Sequence, residues 1–246
     1  MIPAAGYAHR LGTPARSKEL LPVYTRTDAE GDVVAPVCLC LLDAMRQAGI
    51  RDAHVVSRPG KEDIRNRLGN GSLLDMRIRH SQIQSSRGPA DTIDHVFPAV
   101  RDATVAVGFP DVLFEPLDAF ALLLARLEHT EADVVLGLFP TDSGALDRVH
   151  LGTAQRVNGI EFDPAPGDEY DTWCLAVWGP RFTELLHDRA KAVEVQEQGG
   201  MILGRTLQAA IDQGLVIDGV RPPGAWFIDV GSPAGLQRAR SRLQAG

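Results

Sequence analysis

Met1-Ile-Pro-Ala-Ala-Gly-Tyr-Ala-His-Arg10 opens the chain, followed by Leu11-Gly-Thr-Pro-Ala-Arg-Ser-Lys-Glu-Leu-Leu-Pro-Val23. A short apolar run, Ile2–Ala5, leads into a turn of small residues, then Arg10, then Lys18 ahead of a second apolar patch. In an open α/β sheet the loop after the first strand lies at the carboxyl edge, where ligands bind. Gly6 lets backbone N–H groups approach a phosphate, and Arg10 and Lys18 supply positive charge. Small residues after a first strand are common, so this loop acquires meaning only from the rest of the chain.

Outward from it, short β-branched runs alternate with amphipathic stretches of helical length. The predicted strands are Ile2–Ala5, His54–Ser57, Met76–Ser81, Thr104–Val107, Asp133–Phe139, Trp173–Val177 and Trp226–Asp229. Apolar residues recur at helical spacing over Pro36–Ala48, Ala90–Val100, Leu117–Leu127, Pro180–Arg189, Leu203–Gln213 and Pro233–Leu243. Such alternation implies parallel strands with right-handed crossovers, hence a three-layer, Rossmann-like α/β fold with a mostly parallel sheet. Thr141–Gly167 breaks the rhythm with turn residues and one short strand near Ile160. It reads as an insertion leaning over the site, within a single domain spanning residues 1–246.

Composition narrows the function classes. The 246 residues are 44% hydrophobic and 23% charged, with a formal net charge of −7. An acidic chain is a poor partner for nucleic acid or an anionic membrane, although a small basic pocket for phosphates remains open to it. No apolar run reaches the roughly 18–20 residues that span a bilayer, and no secretory signal is visible. Cys38, Cys40 and Cys174 form no even disulfide framework and no metal cluster. The expectation is a cytoplasmic protein with buried thiols, assembled as a homo-oligomer.

Two acidic strand ends lie far apart in sequence. Val105-Ala-Val-Gly-Phe-Pro-Asp-Val-Leu113 is a buried strand that ends at Asp111, and a carboxylate there can bind a hard cation through oxygen. Ala225-Trp-Phe-Ile-Asp-Val-Gly-Ser-Pro233 precedes a helix, with Ser232 as its N-cap and Pro233 at the first helical position.

Together these motifs resemble the sugar-1-phosphate nucleotidyltransferases, the nucleotide-diphospho-sugar transferase fold family. Gly6, Arg10 and Leu11 match the first half of that family's phosphate-loop signature, and Lys18, Leu20, Leu21, Pro22 and Val23 match the second. Phe227, Asp229, Gly231, Ser232 and Pro233 match its C-terminal motif, and Ala48-Gly-Ile-Arg-Asp52 a further one. The resemblance implies Mg²⁺ held by Asp111 and Asp229, with Arg10 and Lys18 as the catalytic cations. Ala4, Ala5, Gly6, Tyr7, Ala8 and His9 would line the nucleotide. Gln82-Ile-Gln-Ser-Ser-Arg-Gly-Pro-Ala90 is similar to the base-binding segment: Gly88 matches it, Gln84 or Gln82 fills the glutamine's place, and Pro89 replaces Leu.

Two departures stand out. Ala8 and His9 replace a Gly and a Thr, and the loop before Lys18 is about two residues short, leaving Arg16 as a substitute cation. His9 is either an added phosphate donor or a solvated loop residue. On the acceptor side Glu161-Phe-Asp-Pro164 stands where the family carries Glu-Glu-Lys-Pro. Glu161 and Asp163 are then acceptor-site residues, and Asp163 takes a lysine's place. No Lys occurs between Gly144 and Pro180, and Arg148 and Arg156 are its only cations. A carboxylate at about 4 Å from a phosphate repels it by roughly 4 kcal/mol at an effective dielectric near 20. Unless Asp163 points away, the expected acceptor is therefore an unusual phosphate or phosphonate with a compensating amine or hydroxyl, and not an ordinary hexose 1-phosphate.

The expected reaction is in-line attack of an acceptor phosphate on the α-phosphorus of an NTP, a pyrimidine nucleotide being favoured, with release of pyrophosphate. The alternative is a non-catalytic relative that binds a nucleotide or nucleotide-sugar in a regulatory role. A nicotinamide-dependent oxidoreductase is a second rival, which the lack of Gly-x-Gly-x-x-Gly after the first strand disfavours.

Overall fold

Side-chain alternation along the central strands sorts the helices onto two faces of one sheet. The computed structural model describes residues 1–7, 11–12, 16–28, 31–142, 146–165, 167–192 and 203–245. In chain order the strands are β1 (Ile2–Pro3), β2 (Pro22–Asp28), β3 (Gly31–Pro36), β4 (Asp52–Ser57), β5 (Arg77–Gln82), β6 (Val105–Gly108), β7 (Val112–Glu115), β8 (Val134–Thr141), β9 (Arg148–Leu151), β10 (Val157–Glu161), β11 (Tyr170–Trp178), β12 (Ile217–Val220) and β13 (Trp226–Asp229). The helices are α1 (Cys38–Gln47), α2 (Glu62–Leu68), α3 (Pro89–Asp94), α4 (Phe97–Val100), α5 (Ala119–His129), α6 (Pro180–Ala192), α7 (Leu203–Asp212) and α8 (Pro233–Ala245).

β1, β4 and β5 form one parallel set, in the order β1-β4-β5. β12, β8, β11 and β6 form the other, in that order, with β12 parallel to β8 and β11 antiparallel to both β8 and β6. Met1 N lies 2.7 Å from Ala106 O, so the two sets meet at β1 and β6. The mostly parallel α/β architecture expected from the alternation is what forms.

On β8, Val135 and Phe139 face a core completed by Leu41, Met45, Phe120 and Leu123 from α1 and α5. Val134, Leu136 and Leu138 face the opposite core, built with Phe182, Leu186 and Leu207 from α6 and α7. A β-bulge in β11 interrupts the register between Trp173, opposite Leu138, and Leu175, opposite Gly137. The extra residue, Cys174, leaves Trp173 on the α6/α7 face beside Phe109, with ring centroids 5.9 Å apart.

The structure departs from the sequence expectations in several places. Residues 22–36 make an antiparallel hairpin, β2–β3, that the helical pattern from Pro36 onward does not announce. The helix expected over Ala90–Val100 is two helices, because Pro98 cannot donate to the preceding turn and a new helix starts after Val96. The insertion holds two paired strands, β9 and β10, instead of one. β7, β12 and α2 are additional short elements.

α1 lies so close to the sheet that Gly108 has no room for a side chain. A Cβ there would overlap Leu41 Cδ1 and lie 3.0 Å from Leu175 Cδ2. Gly167, by contrast, faces open space. Gly108→Ala is predicted to destabilise by roughly 1–3 kcal/mol, a fall of about 2–12 °C in Tm for a chain of this size, whereas Gly167→Ala changes little. Equal melting curves for the two variants would contradict this account of the packing.

Candidate active site

Lys18 begins a 3-10 turn, Lys18–Leu20, that closes the loop leaving β1. Its N-terminal flank is tied down by Asp63 of α2, which accepts from Ser17 N at 2.8 Å and Ser17 Oγ at 2.6 Å. The Lys18 ammonium lies 2.5 Å from Asp111 Oδ2. It also stands over Gly6, 3.9 Å from where a Cβ would be. Burial acts to lower the Lys18 pKa, but Asp111, Glu19 and Asp229 together outweigh it and hold the ammonium above its ordinary value.

Asp111 is buried in the connection between β6 and β7. Asp229 ends β13, which pairs antiparallel with β7 so that Asp229 stands opposite Val112. Val230 N donates to Asp111 O at 2.9 Å and carries the ladder one step further. Residues remote in sequence are thus neighbours across one strand pair, and Lys18 feels both carboxylates. Gly231 N donates to Asp229 Oδ1 at 2.7 Å, which orients that side chain. Ser232 Oγ accepts from Gly235 N at 3.1 Å, the N-cap expected at the start of α8.

The donor set suits a hard divalent cation: two carboxylates supply oxygen, and phosphate oxygens and water would complete its shell. Among the described residues no group of three or more His, Cys, Asp and Glu is arranged for a metal.

Ala4 and Ala5 are buried at the end of β1, and Gly6 and Tyr7 are exposed. The Arg58 guanidinium lies 4.3 Å from the centre of the Tyr7 ring. Ala8, His9 and Arg10 lie outside the described residues. Across the sheet edge, Gly88 precedes α3 at φ +150°, a conformation that favours glycine. Ser86 Oγ donates to Gly88 O at 2.8 Å and shapes that turn. Gln82 Nε2 donates to Glu62 at 3.4 Å, while Gln84 is exposed.

The segment expected to form the acceptor side differs most from expectation. Glu161 is held by Arg148 Nη1 at 3.2 Å, with His150 Nε2 at 3.3 Å. Asp163 is exposed and sits at φ +50°. Water screens an exposed carboxylate, so its repulsion of a phosphate is weaker than a buried acid's would be. Arg156 turns away, reaching Asp218 on β12 at 3.3 Å.

Asp147, which no motif marks, is the more enclosed acid. Burial pushes its carboxyl pKa up, the charge of Asp163 adds to that, and Trp173 and Arg205 oppose it. Arg205 comes from α7, with its guanidinium 5.3 Å from the centre of the Phe162 ring. Gly204 beside it admits this approach, since a Cβ would lie 3.2 Å from Phe162 Cε1 and overlap Asp147 Oδ2. Arg205 reads in sequence as an ordinary helix-surface cation, and only the packing of α7 brings it here.

No protein-family model matches the sequence, and no curated protein does. Solved structures do. A protein described as a glucose-1-phosphate thymidylyltransferase from Bacillus anthracis, in complex with sucrose, superposes with a TM-score of 0.83 at 17% identity, covering 99% of this chain and 94% of that one. The UTP-bound UGPase of Acinetobacter baumannii gives 0.72 at 15% identity, covering 98% and 91%. A UDP-glucose pyrophosphorylase from the same species gives 0.74 at 16% identity, also covering 98% and 91%. At such identities the likeness speaks to architecture, and the chain has a sugar-1-phosphate nucleotidyltransferase-like fold.

Proposed function

We propose that this protein is a Mg²⁺-dependent nucleotidyltransferase that joins an NTP to a phosphorylated small molecule and releases pyrophosphate. The observation that carries the reading is the convergence of Lys18, Asp111 and Asp229 at the sheet edge beside Gly6. Two anions must meet for this reaction, so the site has to hold cations and exclude competing negative charge.

Asp111 and Asp229 would hold Mg²⁺, which supplies charge neutralisation at the phosphate oxygens. Lys18 would offer its ammonium to the α-phosphoryl group, with Arg10 as a second cation for the leaving pyrophosphate. An acceptor phosphate oxygen attacks the α-phosphorus as the bond to the pyrophosphate oxygen breaks. No side chain need remove a proton, because a phosphate nucleophile is already ionised at neutral pH. Positioning and charge stabilisation carry the rate. Gln84, exposed near Gly88, is the amide that would read a pyrimidine edge.

At the acceptor end, Arg205 supplies the cation that the absent lysine would have given. Asp147 lies beside Trp173 and feels the charge of the exposed Asp163, with the Phe162 ring near Gly204, a setting that suits an ammonium group. The acceptor is accordingly a phosphate or phosphonate that carries an amine.

Two experiments test this. Calorimetric titration with UTP, CTP and dTTP, with and without EDTA, is predicted to show binding that requires Mg²⁺; equal affinity in both would remove the metal assignment. Lys18→Ala, Arg10→Ala, Asp111→Asn and Asp229→Asn are each predicted to cut pyrophosphate release by about 10²-fold or more, the scale of removing one transition-state donor. A wild-type protein that binds nucleotide yet releases no pyrophosphate with any acceptor would be a binding relative instead of an enzyme.

The acceptor assignment has its own test. Amino-substituted phosphates and phosphonates are predicted to exceed glucose 1-phosphate at least about tenfold in kcat/KM, about 1.4 kcal/mol. Asp147→Asn should narrow that ratio. Efficient turnover of glucose 1-phosphate, above about 10⁴ M⁻¹s⁻¹, would show the reading of the acceptor pocket to be wrong.

A further inference from the structure

Lys61 belongs to none of the motifs above, yet it is among the most enclosed charges in the protein, with 4% exposure. It stands in the turn between β4 and α2. Its ammonium donates to Ala4 O at 2.8 Å and to Glu19 Oε1 at 2.7 Å. Ala4 ends the outgoing limb of the phosphate loop, and Glu19 lies in the turn by which the chain returns. One side chain from outside the loop therefore bridges both of its limbs.

We propose that Lys61 is a positioning residue for nucleotide binding, clamping the two limbs of the β1 loop so that Lys18 stands over Gly6 and faces Asp111. The proposal rests on the nucleotidyltransferase reading of that loop.

Geometry carries the argument. Lys18 and Glu19 are consecutive in one 3-10 turn, and their side chains diverge: Lys18 reaches Asp111 and Glu19 reaches Lys61. Holding Glu19 from behind therefore sets the direction of Lys18 in front. Asp63, two residues beyond Lys61, holds Ser17 on the other side of Lys18. The start of α2 thus fixes the residues on both flanks of the proposed catalytic cation.

Energetics point the same way. Burial lowers the Lys61 pKa against the pull of Glu19, and burial raises that of Glu19 against the pull of Lys61. Glu19 Oε2 is buried with no hydrogen-bond partner. An apolar pair of similar volume would relieve both desolvation costs and is often as stable or more so. Stability alone therefore gives little reason for an ion pair here, whereas a clamp that must grip a backbone carbonyl and a turn at once needs its donors.

The test separates positioning from a merely structural role. Lys61→Met alone leaves the Glu19 carboxylate buried and unpaired, so it is expected to lower Tm. The double variant Glu19→Gln with Lys61→Met removes both charges and is expected to melt close to wild type. If Lys61 positions the loop, the Kd for Mg²⁺ and whichever of UTP, CTP and dTTP the wild type binds tightest stays at least tenfold above wild type in the double variant, and KM for that nucleotide rises while KM for the acceptor does not. A structural staple predicts that nucleotide affinity recovers along with Tm, and that result would overturn the proposal. Failure of the wild-type protein to bind any of the three would remove the proposal together with the reading beneath it. Binding without pyrophosphate release would remove the enzymatic reading alone and leave the calorimetric comparison to decide on Lys61.

Discussion

The antiparallel pairing of β7 with β13 is the contact on which the candidate site depends. It places Asp229, at the end of β13, beside Asp111, just ahead of β7, although more than a hundred residues separate them. Two carboxylates so placed repel each other, and desolvation of Asp111 adds to the cost. A cation has to compensate, and Lys18 does so at 2.5 Å from Asp111. The same ammonium lies where the loop after β1 can present it to a phosphate. Strand pairing, charge balance and ligand chemistry thus meet in one cluster.

The opposite wall of the site is built from sheet irregularity and helix packing. The bulge at Cys174 gives Trp173 its direction, and Trp173 in turn meets Phe109, two residues ahead of Asp111. Gly204 lets the start of α7 approach Asp147 and Phe162, which brings Arg205 into the neighbourhood. An extra residue in a strand and a missing side chain on a helix therefore shape the proposed acceptor side, while regular strand ends shape the proposed metal side.

That contrast explains what was legible in the sequence. Strand ends in an α/β alternation must lie at one edge, so Asp111, Asp229 and the loop to Lys18 could be assigned together from pattern and resemblance. The N-cap at Ser232 follows from local chemistry alone and forms as expected. The break between α3 and α4 was written in Pro98, but the apolar spacing of Ala90–Val100 masks it. β7 and β12 are four-residue strands, too short to show a period. Lys61 reads as a solvated lysine in a Gly-Lys-Glu turn, and Asp147 as a loop acid. Only tertiary packing buries the one and half-buries the other.

The distribution of these departures bears on whether the site works. The two substitutions at the proposed acceptor end, Phe162 and Asp163, are partly exposed and exposed. The proposed nucleotide end departs from the family at Ala8 and His9, yet it holds four charged groups, Lys18, Glu19, Lys61 and Asp111, mostly or wholly out of water. Each is expensive to bury, and apolar residues of similar volume in the place of a buried ion pair are often as stable or more so. Changing the exposed acceptor wall alters which molecule fits at little cost to the fold, whereas changing the buried cluster would leave unpaired charge. That asymmetry fits the proposed phosphate site, since buried charges of both signs would serve a bound nucleotide whether or not a reaction follows.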